Sequence, residues 1–192
     1  GLVGITLYNV FFMYGLKHTS ASHSALFISL SPLFAVLLQA ASGRERITQR
    51  VTAGVLLAMA GVFLVINGRS GDTGATTLAG DLLTLVAALL WAVYTVSSQP
   101  LLERHSPVKV TAYSMCAGSV LLLVPSIPDL AQQPWAAVSG SAWAAFAFSA
   151  FVSGGISFSL WYEGIRRIGV AGTAAYHYLV PFVAVLFAAL FL

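Results

Sequence analysis

The chain has 192 residues, 58% of them hydrophobic and 8% charged, with a mean hydropathy of +0.88 and a formal net charge of +3. Soluble domains carry about 25% charged residues, so a water-soluble globule is excluded. The nine basic residues fall singly or in pairs among apolar runs and form no stripe, which excludes a nucleic-acid surface and leaves membrane lipid as the partner.

Seven apolar stretches follow one another, each about long enough to cross a bilayer core that takes roughly 20 helical residues. The first, 1–16, holds Tyr8 and Asn9; the second, 22–42, holds Ser29, Ser31 and Pro32. The third, 51–68, presents Gly54, Ala58 and Gly61 as a small-residue face suited to close helix packing. The fourth, 81–102, places Trp91 and Tyr94 one turn apart on one face. The fifth, 109–127, contains the lone Cys116, so no internal disulfide is possible. The sixth, 139–163, carries a second small-residue cluster, Ser149, Ser153, Gly154 and Ser157; the seventh, 169–192, carries Tyr176, His177, Tyr178 and Pro181. Turn chemistry marks the connectors at 42–45, 67–72 and 105–107, and from Pro125 to Pro134 around Asp129. The expected fold is an all-α integral membrane protein of about seven transmembrane helices.

The segment from Gly15 to Ala41 recurs 149 residues later, from Gly164. Both copies have a basic residue two places after the Gly, a proline 17 places after it (Pro32, Pro181) and an Ala-Val-Leu run beyond. The chain therefore reads as two halves of a duplicated unit, the arrangement of carriers built from paired repeats. Even-numbered connectors hold Arg44, Arg46, Arg50, Arg104, Lys109, Arg166 and Arg167, and odd ones only Lys17 and Arg69, which sets the even ones on the cytoplasmic side. The sequence also reads as cut at both ends. Restoring what each half has and the other lacks produces an inverted five-plus-five repeat of ten helices.

Chemistry concentrates in few places. A proline within a helix removes the N–H that would bond the carbonyl four residues earlier, so Pro32 and Pro181 free the carbonyls of Ile28 and His177, themselves equivalent in the repeat. Such carbonyls need protein or a watery cavity. Two accounts stay open for these hinge or kink positions: cavity lining, with Ser29, Tyr176 and Tyr178 supplying polar groups, or packed kinks satisfied by local hydroxyls. His177 is an ionisable group inside an expected span, serving either as a proton or carboxylate partner or as a neutral structural imidazole. Trp91 and Tyr94 lie too deep for an interfacial belt, leaving packing or cavity wall, the latter suited to an organic substrate or its ammonium. Tyr8 and Asn9 join them on the same grounds. Trp135, Trp143, Trp161 and Tyr162, near span ends, read as belt residues. No phosphate loop, metal-ligand spacing or catalytic constellation is present in the sequence, and no span holds a central Asp or Glu. The reading is thus of a non-enzyme without catalytic residues, metal or cofactor.

GLKHTSASHSALFISLSPLF, GRERIT, GDLLTLVAALLWAVYTV, SPVKVTAYS and LWYEGIRRIGVAGTAAYHYLVPFVAVL, in that order, resemble the EamA branch of the drug/metabolite transporter superfamily. The resemblance covers nearly the whole chain. It departs at Gln39, where an apolar residue is expected, and at Glu163. It implies three C-terminal helices of a first EamA repeat in 1–68, an extracytoplasmic linker in 69–80, and four helices of a second repeat in 81–192. It further implies a multi-pass carrier of the inner (plasma) membrane that exports amino acids or related small metabolites by alternating access around a central cavity, with a proton as candidate coupling ion. The rival is a non-transporting scaffold or receptor, or an inactive piece of a carrier.

Overall fold

The computed structural model describes residues 1–43, 48–67, 77–177, 179 and 183. Tyr178, Pro181, Arg44, Glu45, Arg46 and Arg69 lie outside the described residues, as does the greater part of the expected linker and of the seventh stretch. Among the described residues every regular element is helical.

A π-helical segment, Leu2–Leu7, runs straight into α1 (Tyr8–His18). After an extended Thr19, Ser20 caps α2 (Ala21–Ile28) by accepting from the His23 N–H. The chain turns at Ser29 and Leu30 into α3 (Ser31–Ala41), where Pro32 occupies the first turn, the position that tolerates a missing N–H. Gly43, at φ 66°, closes α3 in the left-handed region. Helix α4 (Gln49–Asn67) follows, then α5 (Leu78–Leu102), whose Thr77 cap accepts from the Gly80 N–H. The connector at 105–107 turns as its residues dictate: Ser106 caps α6 (Pro107–Gln132), and Pro107 sits at its start. A 3-10 turn at Trp135–Ala137 leads to α7 (Gly140–Phe148), a second π segment at Ser149–Ile156, and α8 (Ser157–Tyr176).

Four stretches of the described residues are long and apolar enough to cross a membrane: His23–Ala41, Leu78–Leu102, Pro107–Gln132 and Gly140–Tyr176. The protein is an all-α membrane protein. Two expected boundaries are corrected. The Pro125–Pro134 connector begins only after Gln132, because α6 runs through Pro125 and Pro128. Those prolines lie in its exposed last two turns, where Ser126 Oγ donates to the Leu122 carbonyl at 2.9 Å. The sixth and seventh stretches form one helical run, but the run bends at Gly169 (φ 77°, ψ 174°), a conformation that only glycine adopts without strain.

Helix α5 is the hub, packing against the first π segment, α1, α2, α3 and α8. Ala87, Ala88 and Ala92 are wholly buried on it, in keeping with lipid-embedded bundles, where small side chains let backbones approach. Gly4 lies against the Tyr94 ring, and Gly80 against the His18 carbonyl, where a β-carbon would have no room. Gly54 instead faces open space. Thr6 Oγ1 donates to the Gly118 carbonyl at 2.9 Å, tying the first π segment to α6.

Replacing Gly4 with Val should destabilise the protein by about 1–3 kcal/mol, because the aromatic ring must shift within a packed interface. Thermal unfolding in detergent reads this, and Tyr94→Leu in the same chain should restore part of the loss; an unchanged melting temperature in Gly4→Val would refute the close packing.

Candidate functional site

A cavity of about 390 Å³ opens between the two π segments, α1, α5 and α8. Its aromatic side is Tyr8, Trp91 and Phe158; Trp91 touches both others, with ring centroids 5.2 Å from Tyr8 and 5.6 Å from Phe158. Asn9, Ser149, Ser153 and His177 supply the polar groups, and Gly4, Ile5, Ile28, Met115 and Gly154 complete the lining. Asn9 Nδ2 donates to the Ile5 carbonyl at 2.7 Å, which uses one of its two N–H donors and leaves Oδ1 as an acceptor. The His177 ring meets Trp161 edge-on at 5.8 Å. Trp161 Nε1 is buried with no hydrogen-bond partner among the described residues.

The 149-residue offset of the repeat organises this lining. It carries Gly4 onto Ser153, Ile5 onto Gly154, Asn9 onto Phe158 and Ile28 onto His177, and all eight line the cavity. The same offset carries the first π segment, Leu2–Leu7, into the second, Ser149–Ile156. It also carries Ser20, at the break between α1 and α2, onto Gly169, where α8 bends. A π turn widens the helix by one residue and redirects the side chains beyond it. Each half therefore contributes one widened turn and one later break, and the cavity lies between the two widened turns.

Of the residues singled out from sequence, Tyr8, Asn9, Trp91 and His177 line the cavity. Tyr94 does not: it is 6% exposed, one layer deeper, with its ring 5.8 Å from Trp91 and 6.0 Å from Tyr162. Ser29 is buried and donates to the Leu26 carbonyl at 2.6 Å, away from the lining. Tyr176 is 63% exposed. At the Pro32 break the carbonyl of Ile28 accepts from Ser31 Oγ at 2.8 Å, so a local hydroxyl satisfies this kink while the Ile28 side chain faces the cavity. The belt account fails for two aromatics. Tyr162 is fully buried in the core, and Trp161 stacks within the bundle at 6.2 Å from Trp91. Ser149, Ser153 and Gly154, expected to form a helix-packing face, line the cavity, as do Gly4, Ile5, Met115 and Phe158. For most of these the repeat offset was the available signal, since each pairs with another lining position.

Other polar contacts lie away from the cavity. Gln39 is fully buried in α3, and its Nε2 donates to Gln99 Oε1 on α5 at 2.8 Å, while Ser42 Oγ donates to its backbone carbonyl. Asp81, at the start of α5, accepts from Thr19 Oγ1 and lies 3.5 Å from His23 Nδ1. Glu163 pairs with Arg166 and Arg167 on its own helix. Its departure from the expected residue type is thus a local neutralisation of two arginines. Among the described residues no cluster of His, Cys, Asp and Glu could hold a metal ion.

The EamA-like transporter family matches residues 1–67 and 78–192. The chain is 31% identical over 188 residues to the uncharacterised transporter YyaM of Bacillus subtilis (strain 168), an alignment covering 97% of this chain and 62% of YyaM. It is 34% identical over 188 residues to the "probable terminal-alkyne amino-acid exporter" of Streptantibioticus cattleyicolor, covering 98% of this chain and 62% of that protein. A solved crystal structure aligns over the whole chain and 67% of its own, with a TM-score of 0.80 and 27% identity. The chain thus spans about 62% of the length of these relatives, which are named as transporters rather than enzymes.

Ser31→Ala should remove the only donor that the described residues give to the Ile28 carbonyl and lower stability by about 1–3 kcal/mol, read as a lower melting temperature in detergent. Ser29→Ala, which leaves that carbonyl bonded, should not reproduce the loss of order around Ile28 seen by cysteine labelling at position 28; equal labelling in both variants would overturn the assignment.

Proposed function

The chain belongs to the EamA-like transporter family, within the drug/metabolite transporter superfamily, and on that premise we propose that it forms the central helices of a carrier exporting amino acids or related small metabolites. The full carrier has ten helices in an inverted five-plus-five arrangement, with residues 1–68 in the first repeat, 69–80 as extracytoplasmic linker and 81–192 in the second. The observation that carries this reading is the lining of one cavity by four pairs of positions related by the repeat offset. A cavity on the axis between two inverted halves is open to either side of the membrane as the halves rock, which is the requirement for alternating access. The span of about 62% of the relatives' length agrees with helices beyond this chain, and the amino-acid exporter among those relatives supports the substrate class.

In this mechanism the organic body of the substrate packs against Tyr8, Trp91 and Phe158. A substrate ammonium takes the Asn9 Oδ1 acceptor and the faces of the rings. A carboxylate takes the hydroxyls of Ser149 and Ser153 or the imidazole of His177, which also offers a site for a coupling proton. The π turns and the breaks at Ser29–Leu30 and Gly169 are the hinges, with Pro32 and Pro181 at equivalent places beyond them. The carrier resides in the inner (plasma) membrane with its Arg-rich connectors inside.

The test is efflux from proteoliposomes holding the complete protein, across labelled amino acids, nucleosides and cationic drugs. One class should move, and His177→Ala and Trp91→Ala should each slow it by about tenfold, the loss expected for one buried hydrogen bond or aromatic contact. Folded protein that moves none of them would end the carrier reading in favour of a scaffold.

A further inference from the structure

A second cavity, of about 540 Å³, lies at the far end of α6, between its last turn, the 3-10 turn and the start of α7. Asp129, Gln133, Trp135, Trp143 and Phe146 line it. The two tryptophan rings stack with centroids 6.2 Å apart and 23° between planes, and Phe146 meets Trp143 edge-on at 6.0 Å. Trp135 Nε1 donates to the Leu130 carbonyl at 3.2 Å, which ties this ring to the helix end.

The charge of this pocket is unanswered within the protein. Asp129 is the sole charged residue between Lys109 and Glu163 in the sequence, and among the described residues its carboxylate has no ion pair or hydrogen bond. Lys109 begins the same helix and lies about 30 Å away by helical rise. Asp129 sits in the last turn of α6, where the helix dipole is negative and a carboxylate is disfavoured. A carboxylate, the carbonyl end of a helix and the faces of two tryptophans all attract the same thing, a cation with apolar substituents. Asp129 is exposed at this helix end, with both tryptophans about half exposed beside it, so an incoming cation has open access to the carboxylate and to the ring faces.

We propose that this cavity binds an alkylammonium group, with Asp129 as its counter-ion and Trp135 and Trp143 as its aromatic wall. The group belongs either to a phospholipid headgroup or to a free organic amine, and the chemistry of recognition is the same for both.

Tetramethylammonium chloride titrated against the complete protein in nanodiscs of pure phosphatidylglycerol, with sodium chloride as the control, tests this through tryptophan emission. A saturable change is expected. Asp129→Asn and, separately, Trp143→Leu should weaken it by about tenfold, while Trp161→Phe, inside the bundle, should preserve it. Nanodiscs with equal parts of phosphatidylethanolamine then distinguish the sources: suppression of the response assigns the site to a lipid headgroup, and persistence assigns it to a soluble amine. No saturable response, or one unchanged in both pocket variants with native melting behaviour, overturns the proposal.

Discussion

Hydrocarbon offers no hydrogen bonds, so the backbone N–H and C=O groups of the membrane-spanning segments must find their partners within the protein, and that constraint bears on where the helices depart from α geometry. Several of these departures are repaired by nearby hydroxyls. Ser31 Oγ takes over the Ile28 carbonyl at the break before α3, and Thr173 Oγ1 donates to the Gly169 carbonyl at the bend in α8. Ser157 and Ser159 donate to the carbonyls of Val152 and Gly155 around the second π segment. These hydroxyls cost little to bury because they bond their own helix, and they free the sequence to bend where a cavity is needed.

What was legible from sequence was whatever depended on the order of residues along one helix or on the repeat. Trp91, His177, Tyr8 and Asn9 stood out because polar or amphipathic groups at bilayer depth are costly unless a cavity or a partner receives them, and the structure gathers them around one space. The turn residues at Ser42–Gly43 and Ser106–Pro107 ended and began helices as their local chemistry requires. Facing was less legible than depth. Tyr94 shares a face with Trp91, but Gly4 leaves room for its ring to sink towards Tyr162, so it belongs to the core. Trp161 and Tyr162 defeat the belt reading because helix α8 continues past the point where the hydrophobic run stops at Glu163; position near the end of an apolar stretch is not position near water. No one-dimensional pattern announces a π turn, and so Ser149, Ser153 and Gly154 resemble a packing face until the turn is seen.

The two halves share geometry and differ in chemistry. Asn9 stands where the other half has Phe158, and Ile28 where it has His177. Two of the polar lining groups, Asn9 and His177, thus have apolar equivalents in the other half. The lining is therefore chemically asymmetric although the two halves follow one pattern.

The Gln39–Gln99 contact carries a mechanical meaning. An amide-to-amide bond between two helices, with Gln39 fully buried, is a register mark: sliding α3 along α5 by one residue, about 1.5 Å of rise, would break it. Unlike the hydroxyls that bond their own helices, this contact ties two helices to each other. A register mark between α3 and α5 leaves the departures from regular helix geometry to other segments: Leu2–Leu7, Ser149–Ile156 and the bend at Gly169.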